Sequence, residues 1–368
     1  MPTFNATQTL FSLSMLSSLG DSFVGNVGTI EAALTPDLLK QLQTMQPQIG
    51  TWQLVWGPAV YELPTSSQPD NVMFVVRGTD PTGAPQLVVA IAGTNPYAVL
   101  DWIVEDFFVS IEVFWKSAFA LDRMISTGTF IGLSALQTMT PSGSLPGGTS
   151  QPGAGLTLQN FLATQVGAPI AITVTGHSLG GALAPTLALW LNDTRADWDP
   201  AGNASLSVLA SAGPTAGNQG FAAYSDAQIG PRITRVHNPL DVVPHAWARP
   251  DLLQVAGLYA PAIQPDVLLD GFQATALAIS ALGSYTQINA NAPALPGATI
   301  NAAIIVPGAT AFANFFAQLA YQHVDAYYTL LGLQADPTLG LVLQRIKASA
   351  PLLTDTLPKL QSRLGTLP

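Results

Sequence analysis

Apolar and polar residues along the chain form short strand-like runs that alternate with helical patterns. Residues 72–77 and 86–92 are rich in β-branched residues, as strands are. The second run is almost continuously apolar, which is typical of a strand covered on both faces. Residues 158–166 have a helical pattern, and the β-branched run 170–175 follows. A glycine-rich turn then leads into an apolar helix predicted over residues 182–191.

The alternation continues with strands predicted at residues 206–211 and 233–237, separated by a helix near residues 221–227. The Thr-Pro-Asp sequence at residues 35–37 predicts a helix start, with threonine as the N-cap, and the helix should extend to about Met45. Strands that alternate with helices indicate right-handed βαβ units. The predicted fold class is therefore α/β, with a mostly parallel central sheet flanked by helices.

The length of 368 residues fits either one large α/β domain with insertions or two unequal domains. We predict a single domain over residues 1–368, with an N-terminal helical extension at residues 1–50. An apolar insertion, acting as a cap or as part of a pocket, is predicted at residues 271–320. A helical tail is predicted at residues 336–368, and its amphipathic pattern points to no particular chemistry.

Charged residues are scarce, and the composition excludes several classes of function. The chain has 12 basic and 22 acidic residues, or 9% charged, against a usual share of about 25%. A mean hydropathy of +0.34 excludes disorder of the whole chain, and the 48% of hydrophobic residues are enough to form a sizeable core. The net charge of −10 argues against nucleic acid as a partner, because few cations are available to neutralise phosphates. The absence of cysteine excludes disulfides, thiolate metal sites and cysteine nucleophiles.

Two long tracts, residues 124–192 and 271–324, contain no charged residue at all. Such tracts are either buried or face something apolar. Residues 300–321 are the best candidate for a membrane span, but Asn301, Pro307 and other polar or helix-breaking residues interrupt them, so we predict no span. The N-terminal region shows no readable secretory signal. The location is therefore left open between the cytoplasm and export by a route not visible in the sequence.

Residues 176–180, Gly-His-Ser-Leu-Gly, fit the G-x-S-x-G motif, in which two glycines let a strand turn sharply into a helix and lift the serine hydroxyl above the sheet. The motif alone is weak, and a glycine-rich turn with an inert serine is the alternative. A β-branched strand precedes it and a helix follows, which is the context that the motif requires. Ser178 is therefore predicted to be a nucleophile.

A serine nucleophile needs a base within hydrogen-bond reach and a carboxylate that orients the base. Of the four histidines, His177 should point away from its neighbour on so tight a turn, and His237 closes a strand. His245 follows Asp241 too closely for the chain order serine, acid, histidine that accompanies this motif. The order therefore selects His323.

Asp241 is the candidate acid because it lies in a loop just past a strand, where α/β sheets place functional groups. The alternative is a helix cap or Asx-turn in a proline-rich loop, with Asp251, Asp266 and Asp270 as the nearest substitutes. The oxyanion of the reaction needs two donors. The Leu179 N–H belongs to the serine turn itself, and the Thr94 N–H, after an earlier strand, is the second candidate. For Thr94 a simple Gly-Thr turn is the alternative.

Together the motifs resemble the class 3 lipases, the fungal-type lipases of the α/β-hydrolase fold. The resemblance covers roughly residues 70–330 in family order and implies Ser178 as nucleophile, Asp241 as acid and His323 as base. It also implies Thr94 and Leu179 as oxyanion donors. The matching segments are Ala92-Gly93-Thr94, Asp101-Trp102 with Asp106, Gly128-Thr129-Phe130, residues 176–180, residues 213–218 with Phe221, residues 235–244, and His323 with Tyr327-Tyr328.

The chain departs from the family pattern in three ways. Ala92 stands where family members usually have arginine, Pro185 falls inside the helix after the serine, and the stretch between Asp241 and His323 is long. The first two bear on stability, since a proline should kink the helix or rearrange it locally. The third bears on which substrates enter.

The resulting expectation is a serine lipase that works without cofactor or metal. It should hydrolyse carboxylic esters of water-insoluble acyl substrates, most of all triacylglycerols, at an oil–water or membrane surface. A phospholipase A or acyltransferase would share every catalytic residue, and a non-catalytic lipid-binding protein is a further alternative. Residues 96–104 should form a lid, and residues 271–320 should line the acyl pocket or pack as additional core. The oligomeric state is not predicted.

Overall fold

The computed structural model describes residues 3–62, 69–80, 83–92, 109–115, 122–143, 145, 149–333 and the single residues 340 and 344. Apart from these two single residues, the predicted C-terminal tail lies outside the described residues. Within the described residues, no helix combines the length and the apolar character needed to cross a membrane.

A six-stranded sheet forms the centre of the molecule, in the order β1-β2-β3-β6-β7-β8. The last four strands of this order are parallel, while β1 and β2 extend the sheet in antiparallel pairing. The expectation of a mostly parallel sheet is confirmed. The strands are β1 Gln53–Tyr61, β2 Asn71–Thr79, β3 Pro85–Ile91, a separate pair β4 Glu112–Phe114 and β5 Met124–Ser126, β6 Ile170–His177, β7 Ala204–Ser211 and β8 Ile233–Val236.

Helices cover both faces of the sheet and its carboxyl edge. The α-helices are α1 Ala6–Ser17, α2 Val27–Thr44, α3 Gln46–Ile49, α4 Thr127–Thr138, α5 Leu158–Ala163, α6 Leu179–Asp193, α7 Arg195–Trp198, α8 Gln219–Ile229, α9 Arg249–Leu252, α10 Val267–Ile279, α11 Ala311–Ala320 and α12 Ala326–Leu330. The π-helical turn Tyr321–Asp325 joins α11 to α12, and short 3₁₀ turns occupy Ser18–Ser22, Gly230–Arg232, Val243–His245 and Ala302–Ile304. Helix α6 continues through the interior Pro185.

The helix expected to begin at Pro36, with Thr35 as its N-cap, begins nine residues earlier, at Val27, so that prediction is wrong. Asn26 is the N-cap, and its side chain accepts a hydrogen bond from the Thr29 N–H. Pro36 lies inside the helix instead of at its start. The physical reason is packing, because buried leucines and isoleucine spaced by four residues continue across the proline and outweigh its lost hydrogen bond. These are Ile30, Leu34, Leu38 and Leu42.

The strand β3 shows how the two faces of the sheet are used. Leu87, Val89 and Ile91 belong to the core under α4, α5, α6 and α8, while Val88 and Ala90 belong to the core under α1 and α2. Because side chains alternate along a strand, a continuous apolar run is what a doubly covered strand requires. The predicted burial of this strand on both faces is confirmed.

The insertion at residues 271–320 contributes α11 and most of α10 to a third apolar cluster at the carboxyl edge of the sheet. Phe312 and Phe315 are fully buried in it, together with Trp247 and Tyr259. Val242 and Val243, in the loop after β8, belong to the same cluster. The insertion therefore packs directly against that loop.

Candidate active site

Ser178 lies on a sharp turn between β6 and α6, with φ 59° and ψ −125°. A Cβ on Gly176 would lie 2.2 Å from the Gly180 carbonyl oxygen, and a Cβ on Gly181 would lie 2.2 Å from the Ser211 carbonyl oxygen. Glycine at these two positions is required by close approach of backbone to backbone. The motif therefore forms the strand, turn and helix that the sequence predicted, with the serine at a strained position of the turn.

The structure brings the side chains of Ser178, His323 and Asp241 into one hydrogen-bonded row. The His323 Nε2 lies 2.8 Å from the Ser178 Oγ. On the other side of the ring, Nδ1 lies 2.9 Å from Asp241 Oδ2 and 3.1 Å from Oδ1. All three residues are buried, with 2% of Ser178 and none of the other two exposed to solvent. The arrangement can pass a proton from the hydroxyl to the imidazole while the carboxylate faces the opposite nitrogen.

Asp241 is held by contacts at both carboxylate oxygens. The Val243 N–H donates to Oδ1 at 3.0 Å, and the Tyr327 hydroxyl donates to Oδ2 at 3.0 Å. The Asx-turn considered as an alternative is thus present, and it coexists with the contact to His323. Burial, and then the charge of Asp241, raise the pKa of Tyr327 well above its usual value, so the phenol stays a donor.

The other carboxylates proposed as substitutes have different surroundings. Asp266 is the N-cap of α10 and accepts hydrogen bonds from the backbone of Leu268 and Leu269. Asp251 lies in α9 and Asp270 in the first turn of α10.

His323 occupies the middle of the π-helical turn between α11 and α12. Single π turns inside helices frequently occur at functional sites, because the wider turn redirects a side chain. Sequence periodicity shows such a turn only as a continuing helix. The chain order of the motifs pointed to His323, whereas the local conformation that aims it had no readable signal.

The remaining histidines are separate from the Ser178 hydroxyl. The ring of His177 reaches the backbone carbonyl of His323 at 2.9 Å, and the backbone carbonyl of Asp241 lies 2.8 Å from His245 Nδ1. Burial, and then the charge of His323, lower the pKa of His177 well below its usual value. Burial and the nearby charge of Arg235 lower the pKa of His237 to about 4. Both rings are therefore neutral near pH 7.

The candidate oxyanion donors are only partly described. Leu179 is the first residue of α6, and the N–H groups of a helix's first turn have no acceptor within the helix. Thr94 lies outside the described residues, as do the predicted lid at residues 96–104 and Asp106. Among the described residues, no group of three His, Asp or Glu side chains is placed to hold a metal ion.

Comparison with known proteins identifies a family and a similar solved structure. The family model for class 3 lipases matches residues 88–250, a segment that contains Ser178 and Asp241. The crystal structure of M37 lipase is 32% identical and superposes with a TM-score of 0.78, covering 93% of this chain and 99% of that one.

More distant matches are fungal lipases. Lipase II from Rhizopus niveus is 16% identical with a TM-score of 0.43, covering 66% of this chain and 76% of that one. A lipase from Rhizopus microsporus var. chinensis is 18% identical with a TM-score of 0.40, covering 67% and 71%. No curated protein matches the chain.

Proposed function

The chain belongs to the class 3 lipase family of the α/β-hydrolase fold, and from this premise we propose that it hydrolyses carboxylic esters through an acyl-enzyme on Ser178. His323 acts as the general base and then as the general acid of this reaction, and the carboxylate of Asp241 orients its ring. The observation that carries the proposal is the buried row Ser178, His323 and Asp241, with 2.8 Å between hydroxyl and imidazole and 2.9 Å between imidazole and carboxylate.

In the first half of the reaction, His323 Nε2 takes the hydroxyl proton as Ser178 Oγ attacks the ester carbonyl. The carboxylate of Asp241 stabilises the imidazolium that results. The negative oxygen of the tetrahedral intermediate is bound by the N–H groups of Leu179 and Thr94. His323 then protonates the leaving alcohol. In the second half the same base activates water, which releases the acid from Ser178.

For the substrate we propose water-insoluble acyl esters, with triacylglycerols foremost. Support comes from the absence of charge over residues 271–324 and from the partly exposed Leu277, Ile279 and Ile305, which pack against the cluster around Phe312 and Phe315. Their cluster includes Val242 and Val243, directly after Asp241. A wall built from this cluster would bury an alkyl chain at about 0.8 kcal/mol per CH₂.

The nucleophile is tested by Ser178→Ala and by labelling with a fluorophosphonate. We expect the substitution to lower kcat on p-nitrophenyl butyrate by about 10⁴- to 10⁶-fold and to abolish labelling, since members of such a triad act as a unit. His323→Ala should lose a similar factor. Ser134→Ala is the matched control, because the hydroxyl of this half-buried serine on α4 bonds, among the described residues, only to the Phe130 carbonyl of its own helix. Activity or labelling that survives Ser178→Ala would refute the proposal.

The substrate class is tested by a side-by-side assay on triolein and phosphatidylcholine. A triacylglycerol lipase should hydrolyse triolein with the higher kcat/KM. Faster hydrolysis of phosphatidylcholine would identify a phospholipase A on the same triad, and transfer to an added alcohol in preference to water would identify an acyltransferase. A protein that binds both lipids, hydrolyses neither and resists the fluorophosphonate would be a lipid-binding protein.

A further inference from the structure

His177, the residue before Ser178, is hydrogen-bonded to the backbone of the residue proposed as base. Its Nε2 lies 2.9 Å from the His323 carbonyl oxygen. Because a carbonyl oxygen only accepts, Nε2 must carry a proton. Its Nδ1 lies 3.2 Å from the hydroxyl of Ser211, which is itself 3.0 Å from the Gly176 carbonyl. The ring is 3% exposed and spans the space between the serine turn and the π-helical turn.

Phe11 of helix α1 packs against the imidazole ring of His177. It meets His177 edge to face, with centroids 5.6 Å apart and planes at 86°. The same phenyl ring stacks almost parallel on Tyr327, at 6.1 Å and 13°. Tyr327 in turn donates to the carboxylate of Asp241. One fully buried side chain of the first helix therefore touches the supports of both the proposed base and the proposed acid.

The backbone carbonyl of His323 is an effective point at which to fix the base. It belongs to a π-helical turn, where the regular helical ladder is interrupted. A contact at this carbonyl fixes the Cα position from which the imidazole must reach both Ser178 and Asp241. A displacement of about 1 Å in such a constellation lowers the rate about 10²-fold.

We propose that His177, braced by Phe11, is a positioning residue: its Nε2–H holds the His323 backbone so that the imidazole meets the Ser178 hydroxyl. The inference rests on the roles proposed above for Ser178 and His323. It makes the N-terminal helix part of the support of the reaction centre, although α1 contributes no reacting atom.

Three substitutions separate positioning from packing. In His177→Gln the side-chain amide nitrogen can occupy the place of Nε2 and keep the donor to the His323 carbonyl. In His177→Asn the shorter amide reaches only the place of Nδ1, and in His177→Phe the ring volume stays without any donor. We expect kcat on p-nitrophenyl butyrate to fall about 10- to 100-fold in the Asn and Phe variants, with KM within about twofold. The Gln variant should keep most of the wild-type kcat.

Phe11→Leu tests the brace without touching the hydrogen bond. It keeps apolar volume but removes the ring edge, and kcat should fall by a smaller factor, about 3- to 10-fold, with KM unchanged. His237→Asn is the matched control, because its Nδ1 has no hydrogen-bond partner among the described residues. It should leave kcat unchanged. Melting temperatures of all variants show whether each is folded.

The outcomes are distinguishable from failure of the proposed function. An active Ser178→Ala variant would remove the proposed function and this inference with it. If Ser178→Ala is inactive while folded His177→Asn and His177→Phe keep the wild-type kcat, the inference alone is wrong. The same holds if Gln is no better than Phe, since packing would then account for the loss. Should the His177 variants fail to fold, an unchanged kcat in folded Phe11→Leu would still refute the positioning role proposed for His177 and Phe11.

Discussion

Gly181→Ala should lower kcat by about 10²-fold, although helix propensity favours alanine. Gly181 lies in the first turn of α6, where replacing glycine by alanine is worth about 1 kcal/mol from propensity alone. The added Cβ would lie 2.2 Å from the Ser211 carbonyl oxygen and 2.9 Å from the Gly213 nitrogen. Both neighbours are backbone atoms, so no side-chain rotation relieves the contact.

The size of the effect follows from what the Ser211 carbonyl does. It accepts a hydrogen bond from the Ser178 N–H at 3.1 Å. Relief of the overlap requires a shift of about 1 Å, because carbon and oxygen normally pack at more than about 3 Å. Since the Ser178 N–H is bonded to this carbonyl, moving the carbonyl displaces the nucleophile as well. Overpacking of this kind costs about 1–3 kcal/mol of stability, and a displacement of about 1 Å costs about 10²-fold in rate. The steric term therefore exceeds the propensity term.

Gly271→Ala is the matched control for this substitution. Gly271 is also a helical glycine, in α10, but a Cβ there would meet no heavy atom of the described residues within 4 Å. We expect Gly271→Ala to raise the urea midpoint slightly and to leave kcat on p-nitrophenyl butyrate unchanged. Gly181→Ala should lower both. If both variants were stabilised and fully active, the steric argument for the turn would be refuted.

Three further results are expected. Tyr327→Phe should destabilise the fold by about 3 kcal/mol in urea unfolding, because Asp241 loses a donor and the buried Asn238 N–H loses its acceptor; an unchanged midpoint would contradict this. Burial raises the pKa of the Asp21 carboxyl well above its usual value. The free energy of unfolding therefore decreases as pH rises from the usual carboxyl pKa to the raised one. The advantage of Asp21→Asn should accordingly grow by about 1.4 kcal/mol per pH unit in that window, whereas a pH-independent difference would refute it. Phe315→Leu should lower kcat/KM on a C12 ester more than on a C4 ester if the insertion lines the acyl site, and equal losses would reject that role.

Most of the sheet could be predicted from sequence because its inner strands are buried on both faces. Strands β2, β3, β6 and β7 appear as β-branched or apolar runs that burial itself selects. The edge strand β8 is also readable, because three of its four residues are β-branched. Strand β1 was not predicted. It contains Gly57-Pro58, and its pairing with β2 shifts register twice around these residues. Glycine and proline normally mark turns, so a local pattern signals a break where the edge strand in fact bulges and continues.

The centre of the site was predictable for a different reason than its support. A nucleophile on a strand-to-helix turn leaves a local signal, because Gly176 of the motif and Gly181 just after it approach backbone too closely for a Cβ, and the acid and base then follow from chain order and resemblance. The contacts of His177 and Phe11 leave no such trace. They join α1, the serine turn and the π-helical turn, segments far apart in sequence, through a ring edge and one hydrogen bond. A histidine or phenylalanine fits these places by shape, and the sequence alone does not distinguish it from ordinary core. The residues that react are thus easier to read from sequence than the residues that hold them in place, since chemistry restricts the first set and packing geometry the second.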